Sequence, residues 1–240
     1  MLSKIAPHLV RIQHAFVDLF GPRFQTEAEN EDIRAILDHC KDRTDINDHL
    51  LALYSAALSV APKLMVELGV RTGESTNVLA RVARKTGSYL VSADIDDCSN
   101  ACSLPGWLFL QTDDIQFAKD FPKWTKNKGL PSEIDFLFID TSHIYDHTVA
   151  EITHWFPYVR PGGKVAFHDT NQARIYWRRD GSMGLGWDNN RGVIGAIEHC
   201  LKCRLHERTD FTEQTQDWLI QHQASCNGFT VLTRLDVREV

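Results

Sequence analysis

From Lys63 onward the sequence alternates short apolar runs with helical stretches, and this alternation constrains the fold more than any other feature. The apolar runs contain few polar residues, which is typical of parallel strands buried on both faces of a sheet. They lie at residues 63–68, 88–94, 107–111, 134–140 and 164–169. The helix patterns between them lie at about 75–86, 115–121 and 144–157. The sequence therefore predicts an α/β domain with a doubly wound, Rossmann-like, mostly parallel sheet, in which RPGG at 160–163 forms the turn into the fifth strand.

The segments on either side of this region are also patterned. At the C-terminal end, residues 217–221 and 228–233 predict an antiparallel hairpin on the sheet edge, with its turn at 225–228. At the N-terminal end, apolar residues spaced by three and four predict three helices. The first covers residues 2–19 and stops at Gly21-Pro22, the second lies around 33–40, and the third runs from Thr44 or Asp45 as N-cap to Pro62. We expect a domain over 61–240 and a helical extension over 1–60 that acts as a packing cap, a lid or a dimer contact.

Charge and composition narrow the class of protein. Lys and Arg number 26 against 32 Asp and Glu, a net charge of −6, which disfavours binding to nucleic-acid phosphates. No apolar run approaches the roughly 20 residues of a membrane-spanning helix, and the first residues lack the pattern of a secretory signal. We therefore expect a cytoplasmic protein whose partners include neither nucleic acid nor membrane, and which forms a homo-oligomer through its N-terminal helices.

The cysteines allow two interpretations. Cys98 and Cys102, with Cys200 and Cys203, have a spacing that a four-thiolate zinc site can use. The second pair, however, lies in a helical pattern, where cysteine commonly serves as a small buried hydrophobe. Six cysteines in 240 residues are also too few for a disulfide scaffold. We expect reduced, structural thiols.

The carboxyl ends of the predicted strands, where doubly wound sheets bind ligands, are polar. The first strand leads into VELGVRTGEST, with Glu67 near the strand end and Gly69 and Gly73 in a turn where the backbone can approach a ligand. The second strand ends at Asp94, which suits ribose hydroxyls, and the third is followed by Asp114, which suits an adenine amine. Aspartate after a strand is also a common turn former or helix cap. The Gly-x-x-x-Gly spacing differs from the dinucleotide fingerprint, and three carboxylates around one crevice favour a cationic nucleoside over a polyphosphate.

With these residues and with RPGGKVAFHDT, the chain resembles the class I S-adenosylmethionine-dependent methyltransferases over about residues 60–170. Residues 139–170 are similar to the branch of small-molecule O-methyltransferases that includes macrolide-sugar and cephalosporin-cluster enzymes. The resemblance implies S-adenosylmethionine as cofactor, with Asp94 on the ribose hydroxyls and Asp114 on the adenine. It implies four residues at the methionine part and ribose edge of the cofactor: Glu67, Gly69, Gly73 and Ser75.

Two further strand ends suggest a cation site. Asp140 ends the fourth run and His168-Asp169 ends the fifth, and two carboxylates with an imidazole suit a divalent cation that keeps open positions for substrate oxygens. The resemblance implies magnesium at Asp140 and at positions 168 and 169, and a base at His143. Because His168 replaces a carboxylate and Thr170 an asparagine ligand, the site is weakened, shifted toward manganese or iron-like ions, or lost. The structural alternatives are a His168 that bonds a loop and an Asp169 that caps a turn.

The segment 171–192 is an insertion after the fifth strand. It is too polar for a core element and too aromatic for an inert linker, and long loops at this edge are where substrate lids occur. We expect a lid in which Trp177 and Trp187 stack on a sugar or ring and Arg178 binds a carboxylate or phosphate. The alternative is a solvated loop with a basic run.

These residues predict an O-methyltransferase that transfers a methyl group to a hydroxyl of a sugar or natural product, with Mg²⁺ or another divalent cation assisting. His143 is the expected general base, since an imidazole in a polar loop titrates near neutrality and can take a hydroxyl proton. A helix-terminal structural histidine is the alternative. The rival functions are a NAD-dependent oxidoreductase, which shares the sheet but lacks its glycine fingerprint here, and a cofactor-binding module without catalysis.

Overall fold

The computed structural model describes residues 27–42 and 44–236 of the protein. The helix predicted over 2–19, with its end at Gly21-Pro22, lies outside the described residues. The second predicted helix is α1 (Glu27–His39), and the third is a 3₁₀ turn (Asn47–His49) followed by α2 (Leu50–Ser59). The predicted cap at Thr44 or Asp45 is wrong, because the residue preceding the turn is Ile46. The two polar side chains instead bind the segment after the first strand, as described below.

The five apolar runs form five parallel strands, as predicted. They are β1 (Leu64–Leu68), β2 (Tyr89–Asp94), β3 (Trp107–Gln111), β4 (Ile134–Ile139) and β5 (Val159–His168). A separate two-stranded hairpin follows, consisting of β6 (Ile175–Trp177) and β7 (Met183–Leu185). The last strands, β8 (Phe211–Gln214), β9 (Trp218–Gln223) and β10 (Phe229–Arg234), extend the main sheet in antiparallel fashion. Its order is β3-β2-β1-β4-β5-β10-β9-β8, so the chain reverses direction across the sheet at β1 and opens a crevice at the carboxyl ends of β1 and β4.

Helices cover both faces of the sheet, as a doubly wound fold requires. On one face α1, α2 and α3 (Glu74–Thr86) pack against Met65, Phe136 and Phe138. On the other face α4 (Asp114–Lys128), α5 (Tyr145–Trp155) and α6 (Gly192–Leu201) pack against a second apolar cluster that includes Leu64 and Leu137. Adjacent strand residues thus enter opposite cores, which explains why the runs are almost continuously apolar.

Helix α4 extends beyond its predicted end at residue 121 and continues through Pro122 to Lys128. Proline has no N–H, so the carbonyl four residues earlier loses its helical partner. That carbonyl belongs to Ala118, and it accepts a hydrogen bond of 3.0 Å from the hydroxyl of Tyr158 instead. A tertiary contact therefore satisfies the group that the proline leaves unpaired.

Two other predictions at the sheet need correction. RPGG at 160–163 is a bulge within β5 and not a turn before it, since Val159 already pairs with Ile134 and Lys164 pairs with Phe136. An ion pair between Arg160 and Asp135 holds this bulge against the neighbouring strand. Strand β8, which the sequence did not predict, is a mostly exposed edge strand, and its residues FTEQ show no apolar alternation. The predicted C-terminal hairpin is confirmed as β9 and β10.

Among the helices of the described ranges, none combines the length and apolar character needed to cross a bilayer. All six cysteines lie in described parts of the chain and are free thiols, as expected.

Candidate active site

The loop between β1 and α3 forms one wall of a cleft at the carboxyl edge of the sheet. Gly69 and Gly73 have φ angles of 87° and 84°, in the left-handed region that favours glycine. A Cβ on Gly69 would lie 2.1 Å from the backbone oxygen of Asp140, and one on Gly73 would lie 2.7 Å from that of Ala101. The two glycines therefore let the loop backbone pack directly on the neighbouring strand end and loop.

Glu67 is fully buried beneath this loop, and three hydroxyl groups donate to its carboxylate. The donors are Ser75 at 2.7 Å, Thr76 at 2.8 Å and Ser92 at 2.6 Å. Burial outweighs these hydrogen bonds and raises the pKa of Glu67 to about 7. Ser75 also lines the cleft, whereas Glu67 lies behind it. The structure thus places Glu67 where it orients Ser75 from below.

Asp94, at the end of β2, binds the backbone of the same loop. One carboxylate oxygen accepts from the N–H groups of Val70 and Arg71 at 2.8 and 3.1 Å, and the other accepts from Asp96 at 2.9 Å. Burial works against the charged form of Asp94, but these three N–H donors outweigh it and hold the pKa of Asp94 below its ordinary value. Three donors leave part of an ionised carboxylate's acceptor capacity open to a ligand.

The predicted base and cation-binding residues come together at the ends of β4 and β5. His143 Nε2 lies 3.0 Å from Asp140 Oδ1 and 3.1 Å from Asp169 Oδ2. His168 Nδ1 lies 3.4 Å from Asp140 Oδ1 and 3.3 Å from Asp169 Oδ1. Ligand atoms of Asp140, His143 and Asp169 all lie within 4.8 Å of one another, a geometry that suits a metal ion. The sequence predicted His168 as the third ligand, and the structure brings both histidines to the same carboxylates.

The carboxylates and imidazoles of this cluster shift one another's pKa values. Burial alone would raise the pKa of Asp140, but His168 and His143 outweigh it and lower that pKa far below the ordinary range. Burial alone would lower the pKa of both histidines, but Asp140 and Asp169 outweigh it and raise the pKa of His143, and that of His168 strongly. The carboxylates therefore stabilise positive charge at these imidazoles.

Backbone strain accompanies the cluster. His143 and Asp169 have φ angles of 57° and 56°, which are uncommon for residues other than glycine. The chain around His143 is held by Gly192 at the start of α6, where a Cβ would lie 2.3 Å from the His143 carbonyl oxygen. The carbonyl of Asp169 accepts a hydrogen bond of 3.0 Å from the side chain of Asn189. Backbone strain of this kind concentrates at functional sites, which favours a functional role for this cluster over that of a structural turn.

Asp114 is the first residue of α4 and belongs to a second cluster. Its Oδ2 lies 3.2 Å from His147 Nε2, which in turn lies 3.6 Å from Glu151 Oε1. The hydrogen bond to Asp114 raises the pKa of His147 to about 9. Burial raises the pKa of Glu151 to about 8. Sequence reasoning did not single out Glu151, since a glutamate within a helix pattern is usually solvent-facing.

The predicted lid segment contains the hairpin β6–β7, which the sequence did not predict because three-residue strands leave too short a pattern. Trp177 is 63% exposed on the outward face of the hairpin, paired with Met183. Arg178 bonds the hydroxyl of Tyr176 and the backbone carbonyl of Met183, so it braces the hairpin. Trp187 alone of the three predicted substrate residues adjoins the cluster, with its ring centroid 6.1 Å from that of His143.

Residues before the sheet complete the cleft, and sequence reasoning did not assign them to the site. The cleft is lined by Asp45 and Ile46 together with the glycine loop and Asp140. Asp45 forms a bidentate ion pair with Arg71, at 3.0 and 3.2 Å. Thr44 donates a hydrogen bond of 2.6 Å to Glu74. No local motif predicts these contacts, because the paired residues are 26 and 30 positions apart and meet only in the tertiary fold.

Comparison with known proteins gives three results. Residues 66–170 match a family model described as a methyltransferase domain, which confirms the resemblance seen in the sequence. No curated protein matches the chain. Among solved structures, an O-methyltransferase from Bacillus cereus in complex with SAH has a TM-score of 0.52 at 14% identity, over 93% of this chain and 97% of that chain.

Two further solved structures come from natural-product pathways. TomG from Streptomyces achromogenes, an O-methyltransferase involved in tomaymycin synthesis and in complex with SAM, has a TM-score of 0.53 at 15% identity, over 94% of this chain and 96% of that chain. MycE from the mycinamycin pathway, in complex with Mg, SAH and mycinamycin VI, has a TM-score of 0.48 at 17% identity, over 74% of this chain. This chain spans 46% of the length of MycE. The Bacillus and Streptomyces structures confirm the predicted fold.

Proposed function

We propose that this chain, which carries a methyltransferase domain over residues 66–170, is an S-adenosylmethionine-dependent O-methyltransferase. Its acceptor is a hydroxyl of a small molecule, a sugar or natural product. The observation that carries the proposal is the position of His143, whose Nε2 lies between two carboxylates at the edge where the glycine loop forms a cleft. The Bacillus and Streptomyces neighbours of this fold hold SAH and SAM, and we carry that cofactor over to this chain.

The donors and acceptors of the cleft fit this cofactor. Asp94 keeps acceptor capacity for ribose hydroxyls, and Ser75 is oriented by Glu67 at the start of α3. Gly69 and Gly73 leave the loop backbone without side chains on the ligand side. Asp114 is buried and its Oδ2 contacts His147 Nε2 at 3.2 Å, so only the remaining acceptor capacity of this carboxylate is left for an amine donor such as that of adenine.

S-adenosylmethionine supplies an electrophilic methyl group, and the chain must remove the proton of the acceptor hydroxyl. His143 Nε2 faces two carboxylates, which accept hydrogen bonds, so this nitrogen keeps its hydrogen and we assign the step to the opposite ring nitrogen, Nδ1. Nδ1 takes the hydroxyl proton as the oxygen attacks the methyl carbon and the methyl–sulfur bond breaks, which leaves SAH. Asp140 and Asp169 would then stabilise the imidazolium, since each carboxylate lies within 3.1 Å of Nε2. We assign to Trp187, whose ring centroid lies 6.1 Å from that of His143, the role of holding the acceptor against His143 and excluding water.

Metal assistance is the second part of the proposal. Asp169 is 2% exposed, and its Oδ1 lies 3.3 Å from His168 Nδ1 but makes no hydrogen bond within the described parts of the chain, so this buried oxygen can also face a cation. Asp140 and Asp169 would hold Mg²⁺ or Mn²⁺ together with His168, as the sequence predicted. A bound cation would lower the pKa of a nearby hydroxyl and fix its angle. The nitrogen of His168 favours Mn²⁺ over Mg²⁺.

A panel assay tests the function. Purified protein is incubated with S-adenosylmethionine and hydroxylated sugars and natural products, and SAH formation is measured. We expect His143→Gln to keep the affinity for SAH and to lower kcat by roughly 10²–10⁴-fold. His206→Gln, an exposed histidine beyond the far end of α6, is the matched control. Wild-type rates in His143→Gln would place the base elsewhere, and SAH binding with no turnover on any acceptor would favour the non-catalytic module.

The rival oxidoreductase has less support, because Gly-x-x-x-Gly is not a pyrophosphate loop and the matched domain is a methyltransferase domain. Calorimetry with NAD alongside SAH separates the two. The cytoplasmic location and the homo-oligomer through the N-terminal helices stay predictions, and much of that helical region lies outside the described residues.

A further inference from the structure

A second cluster of titratable side chains lies where α4 begins, and it shares no residue with the cluster of Asp140 and Asp169. Asp114 is the first residue of α4, whereas His147 and Glu151 lie four positions apart on α5 and so share one side of that helix. Ligand atoms of Asp114, His147 and Glu151 all lie within 4.8 Å of one another. Two helices therefore bring two carboxyl groups and an imidazole together.

Glu151 has a buried oxygen without a donor. Its side chain is fully buried, and its Oε1 accepts a hydrogen bond of 2.6 Å from Thr141, but its Oε2 has no hydrogen-bond partner among the described residues. The carboxyl group of Asp114 is within hydrogen-bonding reach of Glu151, but two carboxylates can only accept. His147 Nε2 carries one hydrogen at most, so it cannot satisfy both groups. A proton or a cation must therefore lie between these oxygens.

The spacing of the cluster suits a tetrahedral cation. Zn²⁺ binds nitrogen and carboxylate oxygen at about 2.0–2.2 Å, so two ligand atoms of a tetrahedral site lie about 3.3–3.6 Å apart. His147 Nε2 lies 3.2 Å from Asp114 Oδ2 and 3.6 Å from Glu151 Oε1. An imidazole among the ligands disfavours Mg²⁺, which prefers oxygen in octahedral geometry. The two distances are close to those that Zn²⁺ requires.

We propose that Asp114, His147 and Glu151 form a site for a divalent cation of the Zn²⁺ class, with a fourth position open to water. The His147 side chain is 30% exposed, so the ion has a route from solvent. The hydroxyl of Thr141 holds the Glu151 carboxylate in orientation, as partners of metal ligands commonly do. The site does not depend on the proposed function, because an adenine amine at Asp114 would leave Glu151 Oε2 without a partner.

The competing interpretation is a proton shared by the two carboxyl groups. Burial raises the pKa of Glu151 to about 8, so without a cation this group keeps a proton at pH 7 and can donate it to Asp114. The hydrogen bond to Asp114 raises the pKa of His147 to about 9, and the charge of Asp113 acts in the same direction. Metal ligands must be deprotonated, so a cation that enters this cluster releases protons. A cluster that only shares a proton binds no cation.

Zn²⁺ binding to the full chain, in the absence of SAH, distinguishes the two. Calorimetry gives affinity, and elemental analysis after dialysis gives the number of ions per chain. We expect His147→Gln to bind one Zn²⁺ fewer than wild type, and Glu151→Gln to weaken binding at this site by at least about tenfold. His154→Gln is the control, since His154 is on the same helix but its ring bonds the carbonyl of Ala150. Calorimetry in two buffers of different ionisation enthalpy at pH 7 should show proton release that His147→Gln reduces.

Counting the difference between wild type and variant keeps the test separate from any ion at Asp140 and Asp169. An unchanged number of ions with unchanged affinity in His147→Gln would overturn the site, because the ions would then lie elsewhere. Wild-type protein that binds no Zn²⁺ would overturn it as well and would leave the shared proton. If Glu151→Gln fails to fold, His147→Gln decides alone, since His147 is only half-buried. Binding of SAH is measured separately and decides the proposed function, not this site.

Discussion

The buried carboxylate of Glu67 should make the stability of the protein depend on pH. In the folded chain its pKa is about 7, against an ordinary value of 4.5, because burial disfavours the charged form. The folded state therefore keeps a proton that the unfolded state releases above pH 4.5. The stability linked to that proton is fully present below pH 4.5 and is lost as pH rises through 7. At about 1.4 kcal/mol per pKa unit, the total loss is about 3 kcal/mol.

Glu67→Gln removes this dependence while it keeps the shape of the side chain. The amide can accept from Thr76 and Ser92, and it can donate to Ser75, whose hydroxyl also accepts. We expect the free energy of unfolding of the variant, relative to wild type, to rise by roughly 2–3 kcal/mol between pH 5 and pH 8.5. Other titrating groups are common to both proteins and cancel in this difference.

The assay is urea unfolding followed by tryptophan fluorescence at pH values from 5 to 8.5. Linear extrapolation gives the free energy at each pH, and an equal m value in both proteins confirms that the same transition is compared. Glu213→Gln on the exposed strand β8 is the control for the removal of one carboxylate at the surface. A flat difference for Glu67→Gln would refute the raised pKa. A loss of stability at every pH would show that the three hydroxyl bonds require the negative charge.

Three further predictions concern the site. Asp94→Ala should weaken SAH binding by about 1–3 kcal/mol in calorimetry, because it removes a ribose acceptor and also frees the N–H groups of Val70 and Arg71; unchanged affinity would count against the assignment. Asp169→Asn should lower Mn²⁺ affinity measured by electron paramagnetic resonance, and chelation should lower wild-type turnover; full activity in excess EDTA with no metal in elemental analysis would exclude metal assistance. Trp187→Ala should raise the KM of the acceptor more than Trp177→Ala does, with SAH affinity unchanged in both, since only Trp187 lies beside His143; equal effects would mean that the outward face of the hairpin also contacts the acceptor.

The strands were predictable because burial on both faces leaves a continuous apolar run, which a single sequence displays directly. The site residues at strand ends were predictable for the same reason, since each follows such a run. Helix α4 was predicted too short because the partner of the Ala118 carbonyl, Tyr158, is supplied by another element. The bulge at 160–163 depends in the same way on an ion pair with Asp135 in the neighbouring strand.

The parts of the site that sequence reasoning missed are contacts between distant segments. Asp45 carries no local signal for its contact with Arg71, because an aspartate before a helix pattern normally indicates a cap. Glu151 reaches Thr141 only because α5 returns along the end of β4, whereas its contact with His147 joins residues four positions apart within α5. Short hairpin strands such as β6 and β7 leave too few residues for an alternation to be recognised.

The contact of Gly69 with the end of β4 bears on how this protein can be redesigned. Since a Cβ at residue 69 would lie 2.1 Å from the Asp140 carbonyl oxygen, substitutions in the loop after β1 displace the strand end that carries Asp140. The outward side chains of the β6–β7 hairpin and Trp187 are at least half exposed, so they can be exchanged without opening the core. A directed-evolution library aimed at new acceptors should therefore hold residues 66–73 and 139–141 constant and randomise outward positions within 175–187.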